Sequence, residues 1–401
     1  MYIFKNAKVL TVTNDKIENL QVEVENDIIV YVGKERETKG EIIDCKSKLL
    51  MPGLVNAHAH SAMVFLRGFC NDLTHNDEQN NKNTMLDWLG QVQEKEKELT
   101  EQDIYKYTKI ACKQYIRNGI TTVCDMYFEP KSILKAFNEE GLRCKVALGA
   151  KLNTQNSLYE QLNKEYCSVK ENSVGYVHAI YDVDEVGISD TLKFCKEKDL
   201  LLTMHLSESL QEVGECDKEY QMTPVAFCEK LGCFDRPCLA AHCVHLDKND
   251  FDILANNQVN VVTCPSSNSN LASGIAPIYA LSKKGVNICL GTDGASSSGI
   301  LDIFREMHLV NILQKLYVGE NKLFFPIDII KMATINGAKA LGYDNIGLIK
   351  KGYKADIILL DISSEKFYPY SAIDVGLINT AVGQDVVLTM CDGKILYRNN
   401  I

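Results

Sequence analysis

No apolar run in this 401-residue chain approaches the ~18 residues that a membrane span needs. The N-terminus, Met1-Tyr2-Ile3-Phe4-Lys5-Asn6, lacks the apolar core of a secretory signal. There is no basic tract, and the net charge is −10, which argues against a nucleic-acid backbone as partner. Trp88 is the single tryptophan. These absences point to a cytoplasmic protein with neither nucleic acid nor membrane as partner; a homo-oligomer is left open. Cysteine, by contrast, is abundant at fifteen residues. In a reducing compartment these are read as buried small hydrophobes rather than disulfides. Cys228, Cys233, Cys238 and Cys243 recur every five residues, a period of neither helix nor strand, and are read as core filling.

Hydrophobic residues make up 46% and charged residues 24%, and the length suffices for a large core. Residues 1–50 read as short strands, Ile3 to Val12, Gln21 to Val32 and Glu41 to Leu50, with polar turns between them. From 51 to 350, strand-like runs alternate with helical patterns. The strands are Thr122 to Asp125, Lys145 to Ala150, Gly175 to Ile180, Leu200 to His205, Cys238 to His242, Val259 to Cys264 and Val286 to Gly291. The helices include Glu101 to Asn118, Ile133 to Glu140, Asp190 to Lys198 and Pro224 to Leu231. Such alternation predicts a parallel sheet, and seven or eight units predict closure into a barrel. Residues 351–401 return to strands at Ala355 to Asp361, Val386 to Met390 and Gly393 to Tyr397, which should pair with the N-terminal strands. The polar stretch Asn76 to Asn83 lacks periodicity and reads as a loop over the site.

Pro52-Gly53-Leu54-Val55-Asn56-Ala57-His58-Ala59-His60 carries the chemistry. Residues two apart on a strand share a face, so His58 and His60 can address one ion, and imidazoles suit Zn²⁺ or Fe²⁺ rather than Mg²⁺ or Ca²⁺. Similar strand ends carry His205, with Glu208 three residues later, then His242 and Asp293. Four of the eight histidines therefore sit where a barrel assembles its active site. Taken singly, Glu208 reads equally well as a helix-start carboxylate, Asp293 as a turn residue and His242 as a core histidine. His245 is read as structural.

In order and spacing, PGLVNAHAH, His205-Leu206-Ser207-Glu208, Ala241-His242-Cys243-Val244-His245-Leu246, Ser267-Asn268, Leu290-Gly291-Thr292-Asp293-Gly294-Ala295 and Gly352-Tyr353-Lys354-Ala355-Asp356 resemble the amidohydrolase superfamily. Within it they are most similar to the 5′-methylthioadenosine/S-adenosylhomocysteine deaminase group. The resemblance implies an α/β fold, a distorted (β/α)8 TIM-type barrel (51–350) with a small β-sandwich built from both termini (1–50 and 351–401). It implies one divalent metal, zinc ahead of iron, held by His58, His60, His205 and Asp293. Three imidazoles and a carboxylate leave one position for water, whose pKa Zn²⁺ lowers toward ~7. Asp293 would take the proton from that water, Glu208 would protonate a ring nitrogen, and His242 would orient the nucleophile and stabilise the tetrahedral adduct. Two-metal members place a lysine or an acid at the end of the fourth strand. Here that strand ends at Val177-His178-Ala179-Ile180-Tyr181, which agrees with a single metal. The unrelated cytidine-type deaminases need P-C-x-x-C, which is absent.

For the substrate, the resemblance implies Trp88 on a purine ring, Glu96 on ribose hydroxyls, Arg143 at the amino-acid end of the nucleoside, and His178 as a further contact. The bland alternatives are a core Trp88, a solvated Glu96 in an alternating charge run, and a surface Arg143. The chain departs from the family at Val177 and Ile180, where prolines are usual, at Asn270, where a lysine is usual, and in a longer segment at Thr74 to Asn83. The expected reaction is hydrolytic deamination of an adenine nucleoside to the inosine-type product and ammonia. The alternative is a deaminase or chlorohydrolase of another amino-heterocycle, such as guanine, a pterin or an s-triazine. A metal-binding scaffold without turnover would leave Glu208 and His242 unexplained.

Overall fold

The computed structural model describes residues 1–69, 85–150, 158–368 and 372–399. Five strands come first: β1 (Tyr2–Leu10), β2 (Ile17–Glu25), β3 (Ile28–Gly33), β4 (Glu41–Asp44) and β5 (Lys48–Pro52). Nine follow in the central region: β6 (Leu54–His60), β7 (Ile120–Asp125), β8 (Arg143–Ala150), β9 (Ser173–Val177), β10 (Leu202–Leu206), β11 (Cys238–His242), β12 (Asn260–Thr263), β13 (Asn287–Leu290) and β14 (Asp293–Gly294). Three close the chain: β15 (Ile357–Asp361), β16 (Val386–Cys391) and β17 (Lys394–Arg398).

β6 to β13 pair in sequence order, each parallel to the next. The sheet closes because β14, three residues beyond β13, pairs in parallel with β6, Asp293 opposite Ala59 and Gly294 opposite His60. β13 and β14 are one passage of chain, so the barrel has eight staves. Residues such as Leu54 to His60 and Ile120 to Asp125 are buried throughout, as expected where one face lines the barrel and the other meets helices. The helix Glu101–Arg117 starts at a reciprocal Thr100–Asp103 capping box. Glu185–Lys198 is capped by Asp184 and starts before the expected Asp190.

The terminal strands form one sheet in the order β17-β16-β15-β5-β1-β2-β3, with β4 beside β1. Phe4, Val22, Ile43, Leu50, Ile357 and Leu388, drawn from both ends of the chain, share one buried cluster. Two of the expected strands are each split in two. Gln21 to Val32 turns at Asn26, where φ is +55°, and Glu41 to Leu50 breaks before Ser47, where φ is +61°. Neither turn needs a glycine, which is why the apolar pattern read as continuous. The helix Ile373–Thr380 packs on the barrel helices Ile303–Val318 and Pro326–Met332, so the residues after 351 do not all belong to the terminal sheet. The segment Asn76 to Asn83 lies outside the described residues.

The two units are tied at the foot of the barrel. Arg143, the first residue of β8, pairs with Asp356 and lies 2.5 Å from Asp392. Asp356 also accepts the Asp392 amide at 2.9 Å. This corrects the expectation that Arg143 contacts substrate: it stands at the start of its strand, the end opposite the ligands, and both of its charge partners come from the terminal unit. Arg143 and Asp356 side chains are 11% and 2% exposed, so an unpaired Asp356 would be a buried charge. Arg143→Ala should therefore lower unfolding stability by about 3 kcal/mol in urea titration while leaving metal content unchanged.

Candidate metal centre and active site

Four side chains from three strands converge at the C-terminal mouth of the barrel. His58 and His60 alternate on β6, His205 sits on β10, and Asp293 opens β14. His205 Nε2 lies 3.2 Å from His58 Nε2 and 3.3 Å from His60 Nε2. Asp293 Oδ1 lies 3.0 Å from His60 Nε2 and 3.6 Å from His58 Nε2. The far nitrogens are occupied: His60 Nδ1 is 2.5 Å from the Met126 carbonyl oxygen, and His205 Nδ1 is 3.0 Å from that of His178. A carbonyl accepts only, so both Nδ1 atoms carry a hydrogen and Nε2 is the atom each ring turns to the cluster. Asp293 Oδ2 accepts from Ser267 Oγ at 2.5 Å and Ser297 Oγ at 3.2 Å, which leaves Oδ1 for the centre.

His242, at the end of β11, donates from Nδ1 to Asn268 Oδ1 at 2.8 Å. Its Nε2 lies 3.7 Å from Glu208 Oε2. The backbone is left-handed at Ser207 (φ +52°), His242 (φ +73°) and Asp293 (φ +58°). None is glycine, and non-glycine residues held there carry strain of order 1–3 kcal/mol each, which clusters at functional sites. The three lie at the ends of β10 and β11 and at the start of β14, where the chain must turn its polar groups into the mouth.

The charges fit a divalent cation. Burial pushes His58 down to about 4 and His205 well below the usual imidazole range. Burial opposes charge on His60 too, but the Asp293 carboxylate outweighs it and raises His60 to about 9. Burial also disfavours the Asp293 carboxylate, yet His58 and His60 hold it well below its usual range. Without an ion, a proton held between His60 and Asp293 balances the carboxylate, and a divalent ion would displace it. Glu208 is pushed up, chiefly by burial.

The cluster opens into a cavity of about 470 Å³, within the span of small-molecule sites. Trp88, Glu96 and His178 line it together with Glu208 and His242. Trp88 is packed against the core and also reaches the cavity, and its Nε1 has no hydrogen-bond partner among the described residues. Glu96 ends the helix Met85–Glu96 and accepts from Tyr127 Oη at 2.6 Å. His178 follows β9, with Nδ1 2.5 Å from Asp182 Oδ2. His245 donates from Nε2 to the Ser273 carbonyl oxygen at 2.7 Å, as a structural histidine should. Roles for Asn268, Ser297, Tyr127, Asp182 and Glu212 escaped sequence reasoning. Ser267-Asn268 stood in the motif set without a role, and the others have no local signature.

The amidohydrolase family model matches residues 49–396. A 5-methylthioadenosine/S-adenosylhomocysteine deaminase of Acetivibrio thermocellus is 35% identical, with 99% of this chain and 94% of the relative covered. The chain belongs to the amidohydrolase family. A 5′-deoxyadenosine deaminase of Methanothermobacter thermautotrophicus is also 35% identical, over 89% of this chain and 84% of that relative. Among solved structures, an adenosine deaminase from Xanthomonas campestris with bound zinc superposes with a TM-score of 0.91 at 26% identity, covering 99% of this chain and 93% of that one. As an amidohydrolase the chain has the donor set for a divalent metal: three imidazole nitrogens, two of them with the tautomer fixed by a backbone carbonyl, and one carboxylate oxygen.

Two predictions follow from the geometry. A Cβ on Gly291 would stand 2.8 Å from both the Cβ and the carbonyl oxygen of His58. Gly291→Ala should displace His58 and lower bound metal about tenfold by elemental analysis, in line with the usual cost of disturbing ligand orientation. Because His60 holds a proton up to about 9 in the metal-free protein, metal uptake at pH 7 should release about one proton. Affinity should weaken as pH falls, which calorimetry in buffers of different ionisation enthalpy would measure.

Proposed function

We propose that this amidohydrolase hydrolytically deaminates an adenine nucleoside, a 5′-thioether or 5′-deoxy nucleoside before adenosine itself. The observation that carries the reading is the placement of Glu208 and His242, 3.7 Å apart, between a metal-ligand cluster and a cavity lined by Trp88 and Glu96. His58, His60, His205 and Asp293 would hold the metal, zinc ahead of iron, and the ion would supply activation of a water at neutral pH. Glu208, whose carboxyl is pushed up chiefly by burial, delivers its proton to a ring nitrogen and makes the amino-bearing carbon electrophilic. Asp293 takes the proton lost by the attacking water. His242, held by Asn268, presents Nε2 toward the nucleophile and stabilises the adduct. Collapse of the adduct expels the amino group, which takes the proton held by Asp293 and leaves as ammonia; the adduct hydroxyl returns its proton to Glu208 and the ring carbon keeps the oxygen as a carbonyl.

Trp88 offers a ring for stacking on the purine, Glu96 two oxygens for ribose hydroxyls, and His178 a further contact on the wall. Barrel residues 51–350 form the catalytic domain. Among the described residues no helix is long and apolar enough to cross a membrane, and the fourteen cysteines described are all free. Free thiols on this scale support a cytoplasmic setting.

Ammonia release from zinc-loaded protein should be followed with S-adenosylhomocysteine, methylthioadenosine, 5′-deoxyadenosine, adenosine, guanine and a triazine in parallel. Turnover of the adenine nucleosides is expected, and turnover of guanine or the triazine alone would overturn the nucleoside reading. Glu208→Gln should retain metal and lose at least about a hundredfold in kcat. In the wild type kcat should fall as pH rises through the elevated Glu208 pKa, because the acid form is the proton donor.

A further inference from the structure

Several buried acids have no part in the scheme above, and one of them, Glu212, adjoins the reacting groups. Glu212 lies in the first turn of the helix Leu210–Tyr220, is 1% exposed, and points back out of the helix. Its Oε1 accepts the Ser207 amide at 3.0 Å and its Oε2 the Glu208 amide at 2.7 Å. In an ordinary capping box the third residue bonds the amide of the capping residue. Here the cap is Ser209, whose Oγ accepts the Glu212 amide at 3.1 Å, while the Glu212 carboxylate reaches past it to the two preceding residues. Those two carry the left-handed kink at Ser207 and the carboxylate of Glu208.

The other side of the kink is held too. The Ser207 carbonyl accepts amides from Val244 at 3.0 Å and His245 at 2.9 Å, and the Leu206 carbonyl accepts that of Cys243 at 2.9 Å. The turn bearing Glu208 is thus stitched to the turn bearing His242, and Glu212 secures its remaining two amides. A carboxylate is the one side chain of this size with an acceptor for each.

We propose that Glu212 is a positioning residue for the reaction, setting the place of Glu208 against His242 by gripping the Ser207 and Glu208 amides. The proposal rests on the proton-transfer role assigned to Glu208. An amide in place of the carboxylate keeps the size but turns one acceptor into a donor facing a backbone N–H, so the strained kink relaxes and Glu208 swings from its reach of the substrate ring. Metal ligands and the cavity wall are held by other contacts and stay in place.

The test compares the metal-loaded wild type with Glu212→Gln, Glu208→Gln and the double variant. In Glu212→Gln, kcat should fall about tenfold with KM and metal content within about twofold of wild type. In the Glu208→Gln background the same change should alter residual kcat by less than about twofold, because the group it positions is gone. Hydrogen exchange at the Ser207 and Glu208 amides should be about tenfold faster in Glu212→Gln, with no matching change on β6. Unchanged kcat would overturn the proposal, as would equal losses in both backgrounds or joint loss of metal, KM and folding. Glu212→Asp, one methylene shorter, reaches only one amide and should fall between wild type and Glu212→Gln; a greater loss than in Glu212→Gln would also count against it. If no nucleoside is turned over by the wild type, the proposed function fails by itself, and the exchange rates still decide whether Glu212 holds the turn.

Discussion

Closure of the barrel between β6 and β14 is the constraint on which the site depends. The ligand pair His58 and His60 belongs to the first stave, and Asp293 belongs to the last. They meet because Asp293 pairs opposite Ala59 in a parallel register. Two reciprocal bonds lock that seam below the metal site: Asn56 Nδ2 donates to Thr292 Oγ1 at 2.7 Å, and the Thr292 amide donates to Asn56 Oδ1 at 2.9 Å. Both residues are fully buried, so breaking either bond would strand a polar group in the core. The break between β13 and β14 has its own reason. Gly291 passes so close to His58 that only a residue without a side chain fits, and Asp293 then turns left-handed to face the histidines.

Around this seam the polar groups come in layers, each holding the next. Backbone carbonyls of Met126 and His178 set the tautomers of His60 and His205, Ser267 and Ser297 hold one oxygen of Asp293, and Asn268 holds His242. Such supports come from the strand ends and the turns after them, so rigid staves carry the precision and loops carry the chemistry. Burial alone would suppress every charge in the cluster. The Asp293 carboxylate and His60 escape only by facing one another, a balance that a divalent cation would satisfy in their place.

Much of this was legible in the chain. The repeated pattern of an apolar run ending in His or Asp located the strand ends, and its order carried the family resemblance. Alternation of strands and helices predicted the parallel barrel, and the staves fall close to the expected runs. What failed were places where a residue's type does not reveal its partner. Arg143 is an apolar strand's first residue, and nothing near it in sequence announces Asp356 and Asp392, more than two hundred positions away. The turns at Asn26 and Ser47 need no glycine, so the strand pattern ran through them. Glu212 sits in a helix start rich in acids, where a solvated carboxylate is the ordinary expectation.

The sequence by itself determined the period of the elements, the donor types and their order, because strand alternation and ligand chemistry are local properties of residues. It thereby set the family and the class of metal chemistry. Tertiary structure decided which polar residues face one another, which nitrogen of His60, His205 and His242 is free, and which buried acids act and which hold others in place. Those outcomes depend on contacts between residues far apart in the chain and on the loss of solvent around them. Burial raises Glu208 and lowers His205, and only the folded barrel buries them together.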